Sequence, residues 1–231
     1  MGKDNFAQLK KNTVDAQNQL QESEYVQFLH MNKTGLRVLF MGNSITLHGP
    51  KPEIGWHGAW GMAASCREKD YVHRLMASIG EKNDNCAFCI CQVAEWEKRY
   101  KEGSKLHHLF QNARDFGADV IVVKFLENCP YDGFDAEVFK RELDALLSYL
   151  NPMGKAKIIL STAFWRHPGD QAMAEYAREK ALPLVVMGDL GEDDSMKAIG
   201  LFAHKGVAIH PGDLGMQHIA DRLFAAIEKE L

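Results

Sequence analysis

No apolar run in this chain of 231 residues approaches the roughly 18–20 residues that a membrane-crossing helix needs. The first residues are polar and charged and lack the apolar segment of a secretory signal, so the expectation is a cytoplasmic protein that does not engage a membrane. A dominant charge sign is also missing: 27 Lys and Arg stand against 31 Asp and Glu, for a net charge of -4. That balance gives no basic surface for nucleic acid or anionic lipid. Cysteine is scarce and odd in number, at five residues (Cys66, Cys86, Cys89, Cys91, Cys129), so no disulfide framework of paired residues is expected. The group Cys86, Cys89 and Cys91 has no second Cys or Cys/His pair at finger spacing, which argues against a zinc site. Cys89 and Cys91, two apart in an apolar run, read as one face of a buried strand. Internal repeats, low-complexity tracts and interdomain linkers are absent too, leaving a single domain of ordinary globular composition.

Residues 4–30 are polar with recurring apolar positions, including Phe6, Leu9, Val14, Leu20, Tyr25, Phe28 and Leu29, and predict an N-terminal helix. Five apolar, β-branched-rich runs predict strands at 36–41, 86–93, 120–125, 157–161 and 182–187. Helical periodicity falls between them at 62–79, 106–116, 136–150 and 170–180, and again from about residue 214. Strands alternating with helices mean right-handed βαβ units and a mostly parallel sheet covered on both faces. The expected division is a helical extension over 1–35 followed by the domain over 36–231. In such a sheet ligands bind beyond the carboxyl ends of the strands, so residues that directly follow each strand carry the most information.

Three of these stretches bear chemistry. Gly42-Asn43-Ser44-Ile45-Thr46 follows the first strand, and a serine on a sharp turn there exposes its hydroxyl near free amides. Taken alone, the same string also reads as a phosphate-binding turn or a plain strand exit. Glu127-Asn128-Cys129-Pro130 follows the third strand; Asn128 is either a donor for a developing oxyanion or part of an Asx-type turn. His210 lies in His210-Pro211-Gly212-Asp213 just before the last helix, either as a general base reaching across to a strand end or as a surface-loop histidine.

Together the three stretches resemble the SGNH (GDSL-like) hydrolase superfamily of esterases and acylhydrolases, over residues 36–229. Gly42-Asn43-Ser44 is similar to that family's Gly-Asp-Ser, Asn128 to its oxyanion asparagine, and His210-Pro211 to its C-terminal His-Pro. The resemblance implies a three-layer α/β/α flavodoxin-like sandwich, here with a mostly parallel five-stranded sheet plus the N-terminal helix. It implies Ser44 as nucleophile, His210 as base, and an oxyanion hole from the Ser44 amide, Asn128 and a third donor. It calls for no metal or organic cofactor.

The chain departs from the family in four places. Asn43 replaces the aspartate beside the serine. The second family segment supplies a glycine amide to the oxyanion hole, whereas residues 92–97 contain none, and Ala94 is the best match; its N–H survives a Gly→Ala change if φ stays negative. Glu127-Asn128 replaces an Asn-Asp order. Most seriously, Val207 stands three residues before His210, where the family places the orienting aspartate. Asp213, Glu127, Glu95 and Glu97 are candidates to replace it, or a backbone carbonyl holds His210 in a Ser-His dyad. His167-Pro168-Gly169-Asp170 repeats the histidine string but precedes an earlier helix, so His167 reads as a rim residue or a helix-start turn.

The long loop over 47–61 carries Trp56 and Trp60, and Trp96 and Trp165 also follow strands. Tryptophan faces suit sugar C–H faces, which points to a small-molecule or carbohydrate ester, with an acetyl group removed from a hydroxyl. The alternative is that these rings pack loops over the sheet. Two rival functions stand beside the esterase. One is a non-catalytic ligand-binding domain that lost turnover with the aspartate. The other is a phosphate- or nucleotide-binding protein using Gly42–Thr46, which lacks a Gly-rich cradle followed by lysine.

Overall fold

A computed structural model describes residues 22–230. Its strands are β1 (Val26–Leu29), β2 (Leu36–Gly42), β3 (Cys86–Gln92), β4 (Val120–Lys124), β5 (Lys157–Ser161) and β6 (Leu184–Val185). They form one sheet in the order β1-β3-β2-β4-β5-β6, in which every pairing is parallel except β1 against β3. The helices are α1 (Tyr71–Lys82), α2 (Ala94–Arg99), α3 (Gln111–Phe116), α4 (Ala136–Leu150), α5 (Gly169–Glu179), α6 (Lys205–Ala208) and α7 (Asp213–Ile227).

The period of two along each strand divides the core into two halves. Leu39, Met41, Cys89, Cys91, Ile121 and Val123 face one way, into a cluster with Phe116, Phe139, Leu143 and Met173 of α3, α4 and α5. Val38, Phe40, Phe88, Ile90 and Val122 face the other way, against Val72, Leu75, Ile219 and Leu223 of α1 and α7. The result is the expected three-layer α/β/α sandwich. All five cysteines are free thiols, with Cys89 and Cys91 on one face of β3 as their spacing predicts.

The sheet has six strands rather than five, because part of the predicted N-terminal helix is a strand. Residues 4–21 of that prediction lie outside the described residues. At 26–29 the chain pairs with β3, with Val26 opposite Cys91 and Leu29 opposite Phe88. Val26 is fully buried, and the Phe28 ring meets Phe116 at 5.8 Å. An open sheet edge offers this β-branched and aromatic run both a ladder and a core, which outweighs its helical spacing.

Two other boundaries moved for identifiable reasons. Helix α1 begins at Tyr71 and not near residue 62, because Asp70 caps it by accepting the His73 N–H at 2.8 Å. Residues 62–69 instead fold back on the serine turn, with the Met62 N–H donating to the Ser44 carbonyl at 2.8 Å. The predicted helix at 106–116 is a 3₁₀ segment, Tyr100–Phe110, running into α3. The register then positions the site: Gly42 is paired with both Gln92 and Lys124, so three strands end level with one another. Whatever follows them, Ser44, Ala94 and Asn128 included, meets at one rim of the sheet.

Candidate active site

Ser44 sits on a tight turn that leaves no room for a side chain at position 42. A Cβ on Gly42 would lie 2.7 Å from the Lys124 carbonyl and would collide with Thr46. Thr46 and Leu47 donate their N–H groups to the Asn43 carbonyl, each at 2.9 Å, and the Asn43 side-chain oxygen accepts the Ile45 N–H at 3.2 Å. The Thr46 hydroxyl bonds the buried Tyr71 hydroxyl at 2.7 Å. These bonds hold the turn without using the Ser44 amide or hydroxyl.

The hydroxyl of Ser44 lies 2.8 Å from His210 Nε2. On the other side of the ring, Nδ1 lies 2.6 Å from the Gly206 carbonyl. A carbonyl only accepts, so Nδ1 carries the proton and Nε2 is left to accept from the serine. The carbonyl is free because α6 is a single turn that tightens at its end: His210 donates its N–H to Val207, at 3.0 Å, and not to Gly206. Burial pushes the His210 imidazole down to about 4, against the opposing pull of the Gly206 bond and the Glu127 charge, so the ring is neutral near pH 7. The Trp165 ring meets the imidazole edge-on at 5.2 Å.

Asn128 is held by a carboxylate beneath the rim. Glu97 is fully buried and accepts from the Asn128 side-chain amide (2.9 Å), the Asn128 N–H (3.2 Å), the Leu126 N–H (2.7 Å) and the Asn43 side-chain amide (3.0 Å). Four donors and no acceptor surround it, which orients Nδ2 of Asn128 toward Glu97 and fixes the plane of its carboxamide. Burial, and then the charge of Glu127, push the Glu97 carboxyl up to about 7 against those donors. Glu127 pairs with buried Lys124 and also accepts from Asn43 at 2.6 Å and from the Phe164 N–H at 2.7 Å. Burial works to raise its carboxyl, but Lys124 and these donors bring the net value below the ordinary range. Asn43 thus bridges two carboxylates and ties the serine turn to the asparagine loop. Leu126, at φ 133°, holds a backbone conformation rare outside glycine, and its N–H is one of those that Glu97 binds.

The Ala94 N–H, at the start of α2, donates to its neighbour's side chain, Gln92 Oε1, at 2.9 Å. Ser44, Ala94, Asn128 and His210 line one cavity of about 280 Å³, together with His48, Ile54, Met62, Gln92, Lys98, His204 and Gly206.

No protein-family model matches this sequence, and no curated protein does. Solved structures match by shape. Esterase EstA from Pseudoalteromonas sp., in a structure inhibited by monoethylphosphonate, has a TM-score of 0.57 at 13% identity, covering 84% of this chain and 97% of that one. A protein classed as a GDSL-like lipase from Parabacteroides merdae has a TM-score of 0.58 at 18% identity, over 85% and 97% of the two chains. The acetyl xylan esterase AlAXEase has a TM-score of 0.54 at 18% identity, over 83% and 100%. The chain has the SGNH hydrolase fold.

On that fold, Val207 stands where the resemblance places the orienting aspartate, and here it is fully buried among Trp56, Met62, Ala63 and Ala198. None of the four candidate acids bonds His210: Glu95 pairs with Arg99 at 2.7 Å, and Glu97 is taken up beneath Asn128. Asp213 accepts from the Ser65 N–H and hydroxyl and from Lys69, each at 2.8 Å. Glu127 is consumed by Lys124, Asn43 and Phe164. The partner of the imidazole is the Gly206 carbonyl.

The tryptophans are placed differently from the reading of the loop. Trp56 is 2% exposed, donates from its indole to the His48 carbonyl at 3.2 Å, and packs on Trp60 and Phe202. Trp60 donates to the Ala64 carbonyl at 3.0 Å, and neither ring lines the cavity at Ser44. Large rings at these positions stiffen the loop because it has little other apolar content to bury. Trp96 is fully buried against Phe125 and Phe139, on the core side of the rim. His167 is also away from the cavity, in the turn that starts α5. Sequence reading treated Glu97 only as a candidate acid for His210. The signal for its actual partners was its place, three residues after Ala94 and so one helical turn below the rim.

Proposed function

We propose that this protein is a serine esterase or acylhydrolase acting on small esters, O-acetyl groups on a carbohydrate among them, through a Ser44-His210 dyad. The observation that carries this reading is the pair of contacts on one imidazole: Ser44 Oγ at 2.8 Å from Nε2, and the Gly206 carbonyl at 2.6 Å from Nδ1. His210 Nε2 takes the serine proton as Oγ attacks the ester carbonyl. The oxyanion is received by the Ser44 amide, the second N–H of the Asn128 side chain and, once Gln92 Oε1 releases it, the Ala94 amide; losing one such donor typically costs ~2.7–4 kcal/mol. The imidazolium then protonates the leaving alcohol, and water, deprotonated by the same ring, releases the acid.

A backbone carbonyl does part of an acid's work. It fixes the tautomer, and a wrong tautomer is the reason that removing the acid from a triad costs about 10⁴ in kcat. It supplies no full negative charge to the imidazolium, so turnover below that of a complete triad is expected. A fluorophosphonate probe tests the reading. Covalent labelling that is lost in Ser44→Ala, with hydrolysis of p-nitrophenyl acetate lost in parallel, supports the esterase. Folded protein that neither labels nor hydrolyses favours the non-catalytic binding domain.

A further inference from the structure

A second cavity, of about 480 Å³, adjoins the one at Ser44 and shares His48 and Gln92 with it. One wall comes from the edge of the sheet that β1 adds, through Glu24, Tyr25 and Gln27; another comes from the loop after the serine turn, through His48 and Pro50. The backbone joins the walls, since the Gln92 N–H donates to the Tyr25 carbonyl at 2.7 Å. Its chemistry is selective. Gln27, Gln92 and His48 offer both donors and acceptors, which matches hydroxyl groups. Pro50 and Tyr25, whose ring also meets Phe110 edge-on at 6.2 Å, add apolar surface, which suits the C–H faces of a sugar ring. Glu24 is its one carboxylate, and among the described residues no lysine or arginine lines it, so an anionic alcohol meets repulsion without a counter-charge.

Gln92 connects this cavity to the chemistry. Gln92 lines both cavities, and its side-chain oxygen occupies the Ala94 N–H, the third donor assigned above to the oxyanion. A hydroxyl arriving in the outer cavity competes for that carboxamide, and drawing it away frees the Ala94 amide. We propose that the outer cavity is the subsite for the alcohol part of the ester, a neutral polyhydroxylated group such as a glycosyl chain, and that Gln92 couples its occupancy to assembly of the oxyanion hole. This rests on the esterase reading. It uses binding energy far from the reacting carbonyl to raise kcat, and not merely to lower KM.

The test compares acetylated xylotetraose with p-nitrophenyl acetate, whose leaving group has no hydroxyls beyond the reacting oxygen. Tyr25→Ala and Gln27→Leu should each lower the ratio of kcat/KM for the glycan over the aryl ester by tenfold or more. Gln92→Ala should raise kcat on p-nitrophenyl acetate several-fold and abolish the kcat advantage of the glycan. Equal factors on both substrates in all three variants overturn the proposal. Calorimetry of unesterified xylotetraose on Ser44→Ala separates this inference from the one beneath it. Binding that Tyr25→Ala weakens supports the subsite, and no binding overturns it even where p-nitrophenyl acetate is hydrolysed. Binding by a protein that hydrolyses neither ester retains a glycan site and removes the esterase reading.

Discussion

The tetrapeptide His-Pro-Gly-Asp is written twice in this chain, at 167–170 ahead of α5 and at 210–213 ahead of α7. In the first copy both ring nitrogens are used locally. His167 Nδ1 accepts the Gly169 N–H at 2.9 Å, so Nε2 carries the proton and donates to the Cys129 carbonyl at 3.0 Å. The ring is 5% exposed and has nothing left to offer a substrate. In the second copy the tautomer is reversed: Nδ1 donates to Gly206, and Nε2 faces Ser44. The two strings differ in what the fold sets opposite them, a carbonyl of the Asn128 loop in one case and the end of a one-turn helix in the other. Identical local sequence therefore contains a helix start in both copies, at Gly169 and at Asp213, while tertiary context specified the proton.

The largest expected effect separates the two histidines. His210→Ala should lower kcat on p-nitrophenyl acetate by three orders of magnitude or more, since the group that accepts the serine proton is gone. His167→Ala should leave kcat within a few-fold and should lower stability instead, by about 1–3 kcal/mol, through the buried donors and acceptors it strands. Urea unfolding followed beside kinetics measures both. A large KM change without a stability change would return His167 to the rim of the site and contradict its buried placement.

Next in size is Glu97, which belongs to the network under the Asn128 loop. Glu97→Gln puts a side-chain amide, with N–H groups of its own, where a carboxyl accepts from four donors, so Asn128 loses its fixed orientation. A 10–100-fold loss in kcat with little change in KM is expected, on the scale of weakening one oxyanion donor. In an Asn128→Ala background the same change should cost almost nothing further. Additive losses would mean that Glu97 acts through something other than Asn128.

The comparison also shows how far residues alone could be read. The strand ends, the serine turn, Asn128 and the C-terminal histidine were legible because each is a short string tied to a strand or helix boundary. The register that levels Gly42, Gln92 and Lys124 follows from apolar runs of similar length in a parallel sheet. The partner of His210 was only narrowed to a set, because a backbone carbonyl leaves no trace in residue identity; the clue was that Val207 is apolar. The strand at 26–29 was misread, and Trp56 stood open between packing and binding, for a related reason. Each is decided by a neighbour distant in sequence, β3 in one case and Phe202 in the other.

A smaller effect concerns pH. With the His210 imidazole pushed down to about 4 by burial, the acid limb of kcat/KM should fall near pH 4, and not near the ordinary histidine value of about 6.5. The sign for stability follows. Between those two values the unfolded chain binds the proton and the folded chain does not, so this group lowers stability as pH falls from about 6.5 to 4 and has no further effect below. An acid limb near 6.5 would indicate that the imidazole is solvated and its lock on Gly206 open.

The smallest effect expected comes from the last residue of the second string, and it bears most directly on the dyad. Asp213 is the nearest carboxylate in sequence to His210, yet it anchors the loop at Ser65 and pairs with Lys69, both side chains partly exposed (49% and 33% for the ion pair). Asp213→Asn removes the negative charge that pairs with Lys69 but keeps an oxygen for one Ser65 donor. An exposed pair of this kind is worth about 0–1 kcal/mol, so melting should shift by only a few degrees and kcat should stay within about twofold. A carboxylate that oriented the imidazole would behave otherwise, because its amide would favour the wrong tautomer and cost orders of magnitude. A collapse of turnover in Asp213→Asn, with the fold intact, would therefore replace the Gly206 carbonyl by an acid and make this a triad.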